Sequence, residues 1–326
     1  GHPLFPFPVS LGHEFTGTVA ATGAGVTRFA EGDSVMSVHS APCGRCRRCQ
    51  RRQENLCETL IDRMTLGAFG EFVRLSDRHV EVNASLRPSS LPIEHAALLE
   101  PLACVVYGRQ LLVRNRGEAG RLVASPGTTE PPLVLIAGAG PIALMYLLLL
   151  KKADQAHVVV AARRDAARQR ALELGADAAV PLEEIEEALA ALGSPERSAT
   201  ANTPGARRAD IAIDATGSPE IWRRCVDLVE PGGDVLFYGG APGGTSVSLD
   251  TRRVHYDELH LHGVFHFTPA AVAEARQWLV GGQLNVHPLL DPTAHSLDDV
   301  TDLFRYLDET PATRKHVVRP SLSAAH

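Results

Sequence analysis

The chain has 326 residues, a formal net charge of -6 and 44% hydrophobic residues. This length provides one large domain or two ordinary ones. The acidic balance gives no reason to expect a nucleic acid or an anionic membrane surface as a partner. The longest apolar run, 142–150, is far shorter than the ~20 residues that cross a bilayer, and two lysines follow it. No signal peptide precedes the first motifs, so we predict a cytoplasmic protein.

The first third of the chain is predicted to be rich in β-strands. The segments "EFTGTVAATG", "GDSVMSV" and "GEFVRLS" alternate apolar and polar residues and are punctuated by glycine. Such alternation is typical of half-buried strands. We therefore expect a β-rich region over about residues 10–105.

Four cysteines lie within the sixteen residues of "PCGRCRRCQRRQENLC". The four are Cys43, Cys46, Cys49 and Cys57. A secreted disulfide framework would space its cysteines more widely, whereas this spacing suits a tetrahedral zinc with Zn–S bonds of ~2.3 Å. Pro42 and Gly44 favour the required turn, and five neighbouring arginines would offset the thiolate charge. All four positions would be filled, so the predicted zinc is structural. Free thiols in a loop, or a zinc-ribbon interaction module, are the alternatives.

From about residue 133 the pattern changes to strands that alternate with helices. "LVLIAGAG" is followed by a helix, then by "AHVVVAA", a helix through "DAARQRALELGA", and further strands at "ADIAIDATG", "GDVLFYGG" and "ELHLHGVFHF". This rhythm predicts a doubly wound parallel sheet. A later helix, "TPAAVAEARQWLVGG", is predicted to be capped by Thr268. Two polar stretches, 115–132 and 194–208, are predicted to be loops.

The segment "GAGPIA" has the dinucleotide pattern GxGxx[GA], after an apolar strand and at the start of an apolar helix. Its residues are Gly138, Gly140, Pro141, Ile142 and Ala143. The first glycine permits a tight turn, the second lets the backbone approach a pyrophosphate, and the alanine keeps helix and strand close. The helix N-terminus would offer free N–H groups to the phosphates. A chance glycine turn is the alternative.

The residues about twenty positions further on distinguish NAD from NADP. An NAD site would place a carboxylate at the end of "HVVVAA", but the chain has Ala162 there, followed by Arg163 and Arg164. Two cations at this place suit a 2′-phosphate, so we predict NADP(H), with NAD as the alternative. The arginines could instead be solvated surface residues, and Asp165 complicates the choice.

Several isolated polar residues are candidates for a second site. His13 and Glu14 are adjacent in "SLGHEFTG", and a lone pair of this kind is more often structural than metal-binding. Glu100 lies in the apolar segment "ALLEPLAC" and needs a cation or hydrogen bonds if it is buried. His39 could face a pocket or lie on a strand surface. The alternating His260, His262 and His266 suit packing better than a metal cluster. Asp214 and Thr216 end a strand at the predicted cofactor edge, where they could touch the nicotinamide half or merely shape the turn.

The order of these motifs resembles that of a known family. "GHE", the four-cysteine loop, "GAFGEFVRLS", "ALLEPLAC", "GAGPIA", "DATGS" and the final "KHVVRP" occur in this order in zinc-dependent medium-chain alcohol dehydrogenases. The branch that the chain resembles most is the sorbitol and threonine dehydrogenase group. The resemblance covers nearly the whole chain.

The resemblance implies a GroES-like catalytic domain and a Rossmann NAD(P)-binding domain. The expected divisions are residues 1–106 for the catalytic domain, 107–270 for the Rossmann domain, and 271–326 for a linking helix and a return to the catalytic domain. His13, Glu14 and Glu100 match ligands of a catalytic zinc, and the four cysteines match a structural zinc. The family has another zinc-ligating Cys upstream of "GHE", which this chain lacks, so we expect it to be N-terminally truncated.

The resemblance also implies the reaction and the partners. Zinc would act as a Lewis acid on an alcohol oxygen, and a hydride would pass between the carbinol carbon and the nicotinamide. The expected substrate is an alcohol or polyol, and a homo-oligomer without nucleic acid or membrane is expected. Gly138, Gly140, Arg163, Arg164 and Thr216 are among the predicted cofactor-binding residues. The alternative is a degenerate relative that binds a dinucleotide and keeps only the structural zinc.

Overall fold

The computed structural model describes residues 10–192, 208–310 and 312–320. The chain divides into two compact units. The first unit comprises Gly1–Tyr107 and Phe265–His326, and the second unit comprises Gly108–Val264. The division after Tyr107 falls within one long helix, Leu99–Arg116.

The second unit contains a six-stranded parallel sheet and the helices that connect its strands. A short hairpin precedes the sheet and is formed by β4 (Gly117–Glu118) and β5 (Arg121–Leu122). The strands of the sheet are β6 (Leu133–Ala137), β7 (His157–Ala161), β8 (Ala178–Val180), β9 (Ala209–Asp214), β10 (Val229–Phe237) and β11 (His260–Gly263). The helices are α5 (Pro141–Asp154), α6 (Asp165–Glu173), α7 (Ile185–Leu192), α8 (Pro219–Leu228) and α9 (Thr251–Tyr256), with a 3₁₀ turn at Leu182–Glu184.

The order of the strands in the sheet is β11-β10-β9-β6-β7-β8. The first strand along the chain, β6, therefore lies between β7 and β9, and the strand order reverses on either side of it. Every residue of β6 is buried, as a strand covered on both faces of a parallel sheet requires. The expected doubly wound fold is confirmed. Ligands of such sheets bind where the order reverses, at the carboxyl ends of the strands.

The first unit contains short strands and helices. Its strands are β1 (Thr16–Thr18), β2 (Ser34–Met36), β3 (Ser85–Leu86), β12 (Leu290–His295) and β13 (Lys315–Val318). Its helices are α1 (Arg47–Gln50), α2 (Asp77–Val82), α3 (Ile93–Ala96), the first part of α4 (Leu99–Arg116), α10 (Pro269–Val280) and α11 (Val300–Glu309). Three 3₁₀ turns occur at Glu54–Leu56, Ile61–Arg63 and His287–Leu289. β1, β2 and β3 form an antiparallel sheet, and β12 pairs with β13 in parallel.

Two of the three strands expected in the first third form, and one does not. "EFTGTVAATG" contains β1 and "GDSVMSV" contains β2. "GEFVRLS" has no strand, and Phe72 within it is 70% exposed. A strand needs a neighbouring backbone for its N–H and C=O groups, and none of the described residues supplies one to this segment.

Local signals set several boundaries correctly. α5 begins at Pro141, which has no N–H to lose at the first helical position. Thr268 caps α10 through a hydrogen bond that its hydroxyl accepts from the Ala271 N–H. The predicted loop 115–132 contains the end of α4 and the β4–β5 hairpin. The predicted loop 194–208 lies almost wholly in 193–207, outside the described residues. No helix of the described residues has the length and apolarity of a membrane span.

Candidate active site and metal centres

The four cysteines of the 42–57 loop converge on one point. Their sulfur atoms all lie within 4.8 Å of one another, and the Cys43–Cys49 and Cys46–Cys57 pairs are each separated by 3.9 Å. A tetrahedron with Zn–S bonds of ~2.3 Å has sulfurs ~3.8 Å apart, so the spacing fits zinc. None of the six cysteines, all of them described, forms a disulfide.

Backbone N–H groups point at these sulfurs. The N–H groups of Cys46, Cys49 and Cys43 donate to the sulfurs of Cys43, Cys46 and Cys57 respectively. The N–H of Arg45 is the largest cause that lowers the pKa of Cys43, to about 6. Burial raises the pKa of Cys49 to about 12. One thiol is thus favoured as a thiolate, and another would ionise only beside a cation.

The second donor cluster brings together residues that are far apart in the sequence. Ligand atoms of His13, Glu14 and Glu100 all lie within 4.8 Å of one another. Glu100 belongs to the first turn of α4 and is 5% exposed, whereas His13 is exposed and Glu14 is half-buried. The cluster is therefore anchored on a buried carboxylate and opens toward solvent at the histidine. This is the arrangement that a catalytic metal needs, because a substrate must reach it.

Glu100 is buried with few polar partners. Nδ1 of His39 lies 3.3 Å from its Oε1, but without the alignment of a hydrogen bond, because this nitrogen has no hydrogen-bond partner among the described residues. The Cys104 thiol, one turn further along α4, lies 3.7 Å from the same oxygen. Burial raises the pKa of Glu100, but its contact with His39 acts in the opposite direction, and the net effect holds the pKa below its usual value.

Three residues that were not predicted as metal ligands, His39, Ser40 and His266, lie around the His13–Glu100 cluster. The His39 ring packs edge-on against the rings of His13 and His266, with centroids 4.9 Å away in both cases. The Ser40 hydroxyl lies 2.6 Å from Nε2 of His266. Burial is the largest cause that lowers the pKa of His266, to about 3, so its imidazole is neutral. No sequence motif links His39, Ser40 and His266, because the tertiary fold alone brings them together.

Glu14 already has a cationic partner. The Lys315 ammonium of β13 contacts a carboxylate oxygen of Glu14. Lys315 is the first residue of the "KHVVRP" segment, so this contact joins that segment to the "GHE" motif. An ion held by Glu14 would share this carboxylate with the lysine or displace it.

The glycine turn of the second unit is shaped for a phosphate. Gly138 has a φ of +112°, and a Cβ there would lie 3.3 Å from the Thr216 side chain. Gly140 precedes α5, and a Cβ at Gly140 would meet no atom within 4 Å. Protein packing therefore does not require glycine at 140, whereas a close approach of pyrophosphate to the backbone would. Ala143 is buried, Pro141 begins the helix and Ile142 follows it in the first turn.

Arg163 and Arg164 follow the end of β7 and are both exposed. Within 10–192, 208–310 and 312–320, no carboxylate pairs with either of them. Asp165, the next residue along the chain, forms an ion pair with Arg168. The arginines are thus available to an anionic ligand, and the one competing acid is engaged.

Asp214 and Thr216 form the turn beside Gly138. The carboxylate of Asp214 accepts hydrogen bonds from the Thr216 hydroxyl at 2.6 Å, the Gly217 N–H at 3.0 Å and the Trp222 indole at 2.9 Å. Thr216 is exposed although its hydroxyl is bonded within the turn. Asp214 therefore fixes the conformation of the turn, beside Gly138, in which Thr216 lies.

The three alternating histidines serve different roles. His262 lies 2.7 Å from the Asp234 carboxylate in the second unit, while His260 is exposed. His266 belongs to the first unit and contacts Ser40. His266 thus belongs to a different unit from His260 and His262.

A doubly wound sheet with a phosphate-shaped turn, on one chain with a thiolate cluster and an open histidine–carboxylate cluster, defines the class of metal-dependent dehydrogenases. Two family models match the chain: "Alcohol dehydrogenase GroES-like domain" over residues 1–83 and "Zinc-binding dehydrogenase" over residues 141–281. The chain belongs to the zinc-dependent medium-chain alcohol dehydrogenases, in the sorbitol and threonine dehydrogenase-like branch. It is an oxidoreductase that acts on alcohols.

Individual relatives support this assignment. D-altritol 5-dehydrogenase of Agrobacterium fabrum is 34% identical over 259 residues, which are 79% of this chain and 68% of that protein. L-threonine 3-dehydrogenase of Rhizobium etli is 27% identical over 305 residues, 92% of this chain and 78% of the relative. A crystal structure of a protein described as a zinc-binding dehydrogenase, from Sinorhizobium meliloti 1021 and bound to NADP, superposes with a TM-score of 0.76 at 28% identity, covering 98% of this chain and 86% of that one.

Proposed function

We propose that this chain is an NADP(H)-dependent polyol dehydrogenase whose catalytic zinc is held by His13, Glu14 and Glu100. The observation that carries the proposal is the burial of Glu100 in one cluster with His13, without a Lys or Arg partner among the described residues. An ionised carboxylate in such a place is costly unless a cation joins it. The carboxylate and the neutral imidazole are donors that suit zinc.

The bound zinc and NADP(H) would supply Lewis-acid polarisation of the alcohol or carbonyl oxygen and the hydride acceptor or donor. The protein's own residues orient the substrate. His13 presents a ring nitrogen on the exposed side of the cluster, and Glu100 fixes the buried side. His39, Ser40 and His266 form a polar wall beside Glu100. Such a wall offers hydrogen bonds to the extra hydroxyls of a polyol, and it disfavours simple alcohols that leave these groups unpaired.

The cofactor assignment rests on the second unit. The backbone at Gly138 and Gly140 would cradle the pyrophosphate, with Pro141, Ile142 and Ala143 forming the first turn of α5 and Thr216 on the rim. Arg163 and Arg164 would bind the 2′-phosphate that distinguishes NADP from NAD. The four cysteines Cys43, Cys46, Cys49 and Cys57 would hold a structural zinc.

The metal assignment is tested with His13→Asn, and the exposed His255→Asn of α9 serves as the matched control. Oxidation of a panel of hexitols, L-threonine and simple alcohols is measured with zinc-loaded protein. Loss of several kcal/mol of transition-state stabilisation would lower kcat/KM of His13→Asn by roughly 10²–10³-fold. The control should match wild type. Wild-type preference for threonine over every hexitol would refute the polyol assignment but leave the metal site standing.

The cofactor assignment is tested with Arg163→Ala and Arg164→Ala, against Arg223→Ala, an exposed arginine of α8. A charge-assisted hydrogen bond contributes ~1.5–3 kcal/mol, so each variant should weaken NADP binding by roughly 10–100-fold and leave NAD binding within about twofold. Dissociation constants are measured by calorimetry. Equal binding of NAD and NADP to wild type, unchanged in both variants, would exclude the arginine assignment.

We also propose that the enzyme is a cytoplasmic homo-oligomer. β11 ends the parallel sheet and has no strand on its outer side among the described residues. Its backbone N–H and C=O groups could pair with the same strand of a second copy. Light scattering after gel filtration distinguishes a monomer from a dimer or tetramer.

A further inference from the structure

A third group of metal-type donors lies in the first unit, apart from the two clusters described above. It consists of Asp291 and His295 on β12 and His316 on β13, and one ligand atom of each lies within 4.8 Å of the other two. All three residues are half-buried. We propose that these residues form a binding site for a divalent first-row transition ion such as Zn²⁺, which joins the two strands.

The strand pairing explains how the three residues meet. β12 and β13 run in parallel, with Ala294 opposite Val317 and His295 opposite Val318. His316 therefore lies diagonally across from His295. In a regular strand, residues four apart such as 291 and 295 would be ~13 Å from each other. The register shifts between Leu290 and Ala294, and this irregularity brings Asp291 to the same place.

The distances suit a shared ion. Nε2 of His295 lies 3.2 Å from Nδ1 of His316, and the same His316 nitrogen lies 4.0 Å from Oδ1 of Asp291. Ligands at Zn–N and Zn–O distances of ~2.0–2.2 Å in a tetrahedron are ~3.3–3.6 Å apart. Small rotations of these side chains would therefore place the three ligand atoms at three corners of a coordination tetrahedron. A water molecule would occupy the fourth corner.

The carboxylate is held in place as a metal ligand would be. The Thr293 N–H donates to Oδ1 of Asp291 at 2.9 Å. This is the same oxygen that faces His316, so the hydrogen bond fixes the orientation of the carboxylate toward the histidines. Two imidazoles and one carboxylate form a donor set that favours zinc, iron, copper or nickel over magnesium or calcium. The alternative without an ion is an N–H···N hydrogen bond between the two histidines, with Asp291 closing a turn through the Thr293 N–H and contacting His316 at 4.0 Å.

The site is tested by counting ions, because two other clusters on the chain are expected to bind zinc. Full-length protein is equilibrated with buffered Zn²⁺, and bound zinc is measured by emission spectroscopy for wild type, Asp291→Asn and His316→Gln. Asp298→Asn and His287→Gln are matched controls, since both residues are exposed and lie outside the cluster. Wild type and controls should bind about one ion per chain more than the two variants. Loss of one ligand should weaken that ion's binding by at least ~10-fold.

A second measurement guards against a variant that folds poorly. Co²⁺ added to wild type that carries only two Zn²⁺ ions per chain should give weak visible bands of a nitrogen–oxygen site, without the intense absorption of cobalt–thiolate bonds. Asp291→Asn keeps the side-chain volume and an acceptor for the Thr293 N–H, so it should fold normally yet lose these bands. Equal zinc content and equal cobalt spectra in wild type and Asp291→Asn would overturn the proposal. The readout is ion content, so the result is independent of the dehydrogenase assignment.

Discussion

Two buried carboxylates, Glu100 in the first unit and Asp234 in the second, lie beside histidines but have opposite surroundings. Asp234 is 0% exposed and receives Arg116 Nε, Asn115 Nδ2 and His262 Nε2, each at 2.7 Å. Glu100 is 5% exposed, and its contacts with His39 at 3.3 Å and Cys104 at 3.7 Å are longer. A buried carboxylate whose hydrogen-bonding capacity is filled by protein donors stabilises the fold. A buried carboxylate with few protein donors is suited to an added cation.

The comparison distinguishes a buried carboxylate that stabilises the fold, Asp234, from one that is available for catalysis, Glu100. Arg116 brings a permanent charge to Asp234 and also contacts the Ala124 and Gly232 carbonyls, so the network joins the end of α4 to β10. Among the described residues, only His39 lies at ion-pair distance from Glu100, and an imidazole can release its proton to bind a metal. Removing the charge of Asp234 should therefore lower the stability of the fold, whereas removing the charge of Glu100 should lower the activity.

The largest effect is expected for Asp234→Asn. It leaves the Arg116 guanidinium buried without its main counter-charge, because Asp210 lies 3.9 Å away. Breaking a buried ion pair costs ~3–5 kcal/mol. Urea unfolding is followed by fluorescence in a Trp278→Phe background, so that Trp222 reports on the second unit. The exposed Asp227→Asn is the control, and a loss no larger than that of the control would show that Asp234 has no such role.

Glu100→Gln should have the converse effect. We expect kcat/KM of the zinc-loaded protein to fall by roughly 10²–10³-fold, while the melting temperature of the metal-free protein is unchanged or higher, since active-site strain is often relieved at the expense of function. Glu31→Gln, at an exposed position of the first unit outside the cluster, is the control. Activity at the wild-type level together with several kcal/mol of lost stability would place Glu100 with Asp234 as a structural residue.

A smaller effect should appear in the pH dependence of stability. Burial raises the pKa of Asp234, but hydrogen bonds from His262 and Arg116 outweigh it and hold the pKa below 3.8 in the folded protein. The stabilisation is complete above the unfolded pKa of ~3.9 and is lost as the pH falls through the folded pKa, by ~1.4 kcal/mol per unit of lowering. Wild type should therefore lose stability more steeply than Asp234→Asn below pH 4. Parallel acid curves for the two proteins would contradict this.

Much of the fold was predictable because its signals are local. The apolar run of β6, the glycines before α5 and the Thr268 cap each act within a few residues. The cysteine cluster is also local, since its spacing already curls the chain around one centre. The expected strand in "GEFVRLS" does not form, because pairing depends on a distant partner that alternation alone does not reveal.

The sequence alone determined the order of the units, the thiolate cluster, the phosphate turn and the family pattern. Only the tertiary structure decided that His39, Ser40 and His266 surround Glu100, that Lys315 contacts Glu14, and that a bulged strand brings Asp291 to two histidines. The physical reason is distance along the chain. Short-range spacing is encoded in backbone geometry, whereas contacts between residues tens to hundreds of positions apart depend on how whole elements pack.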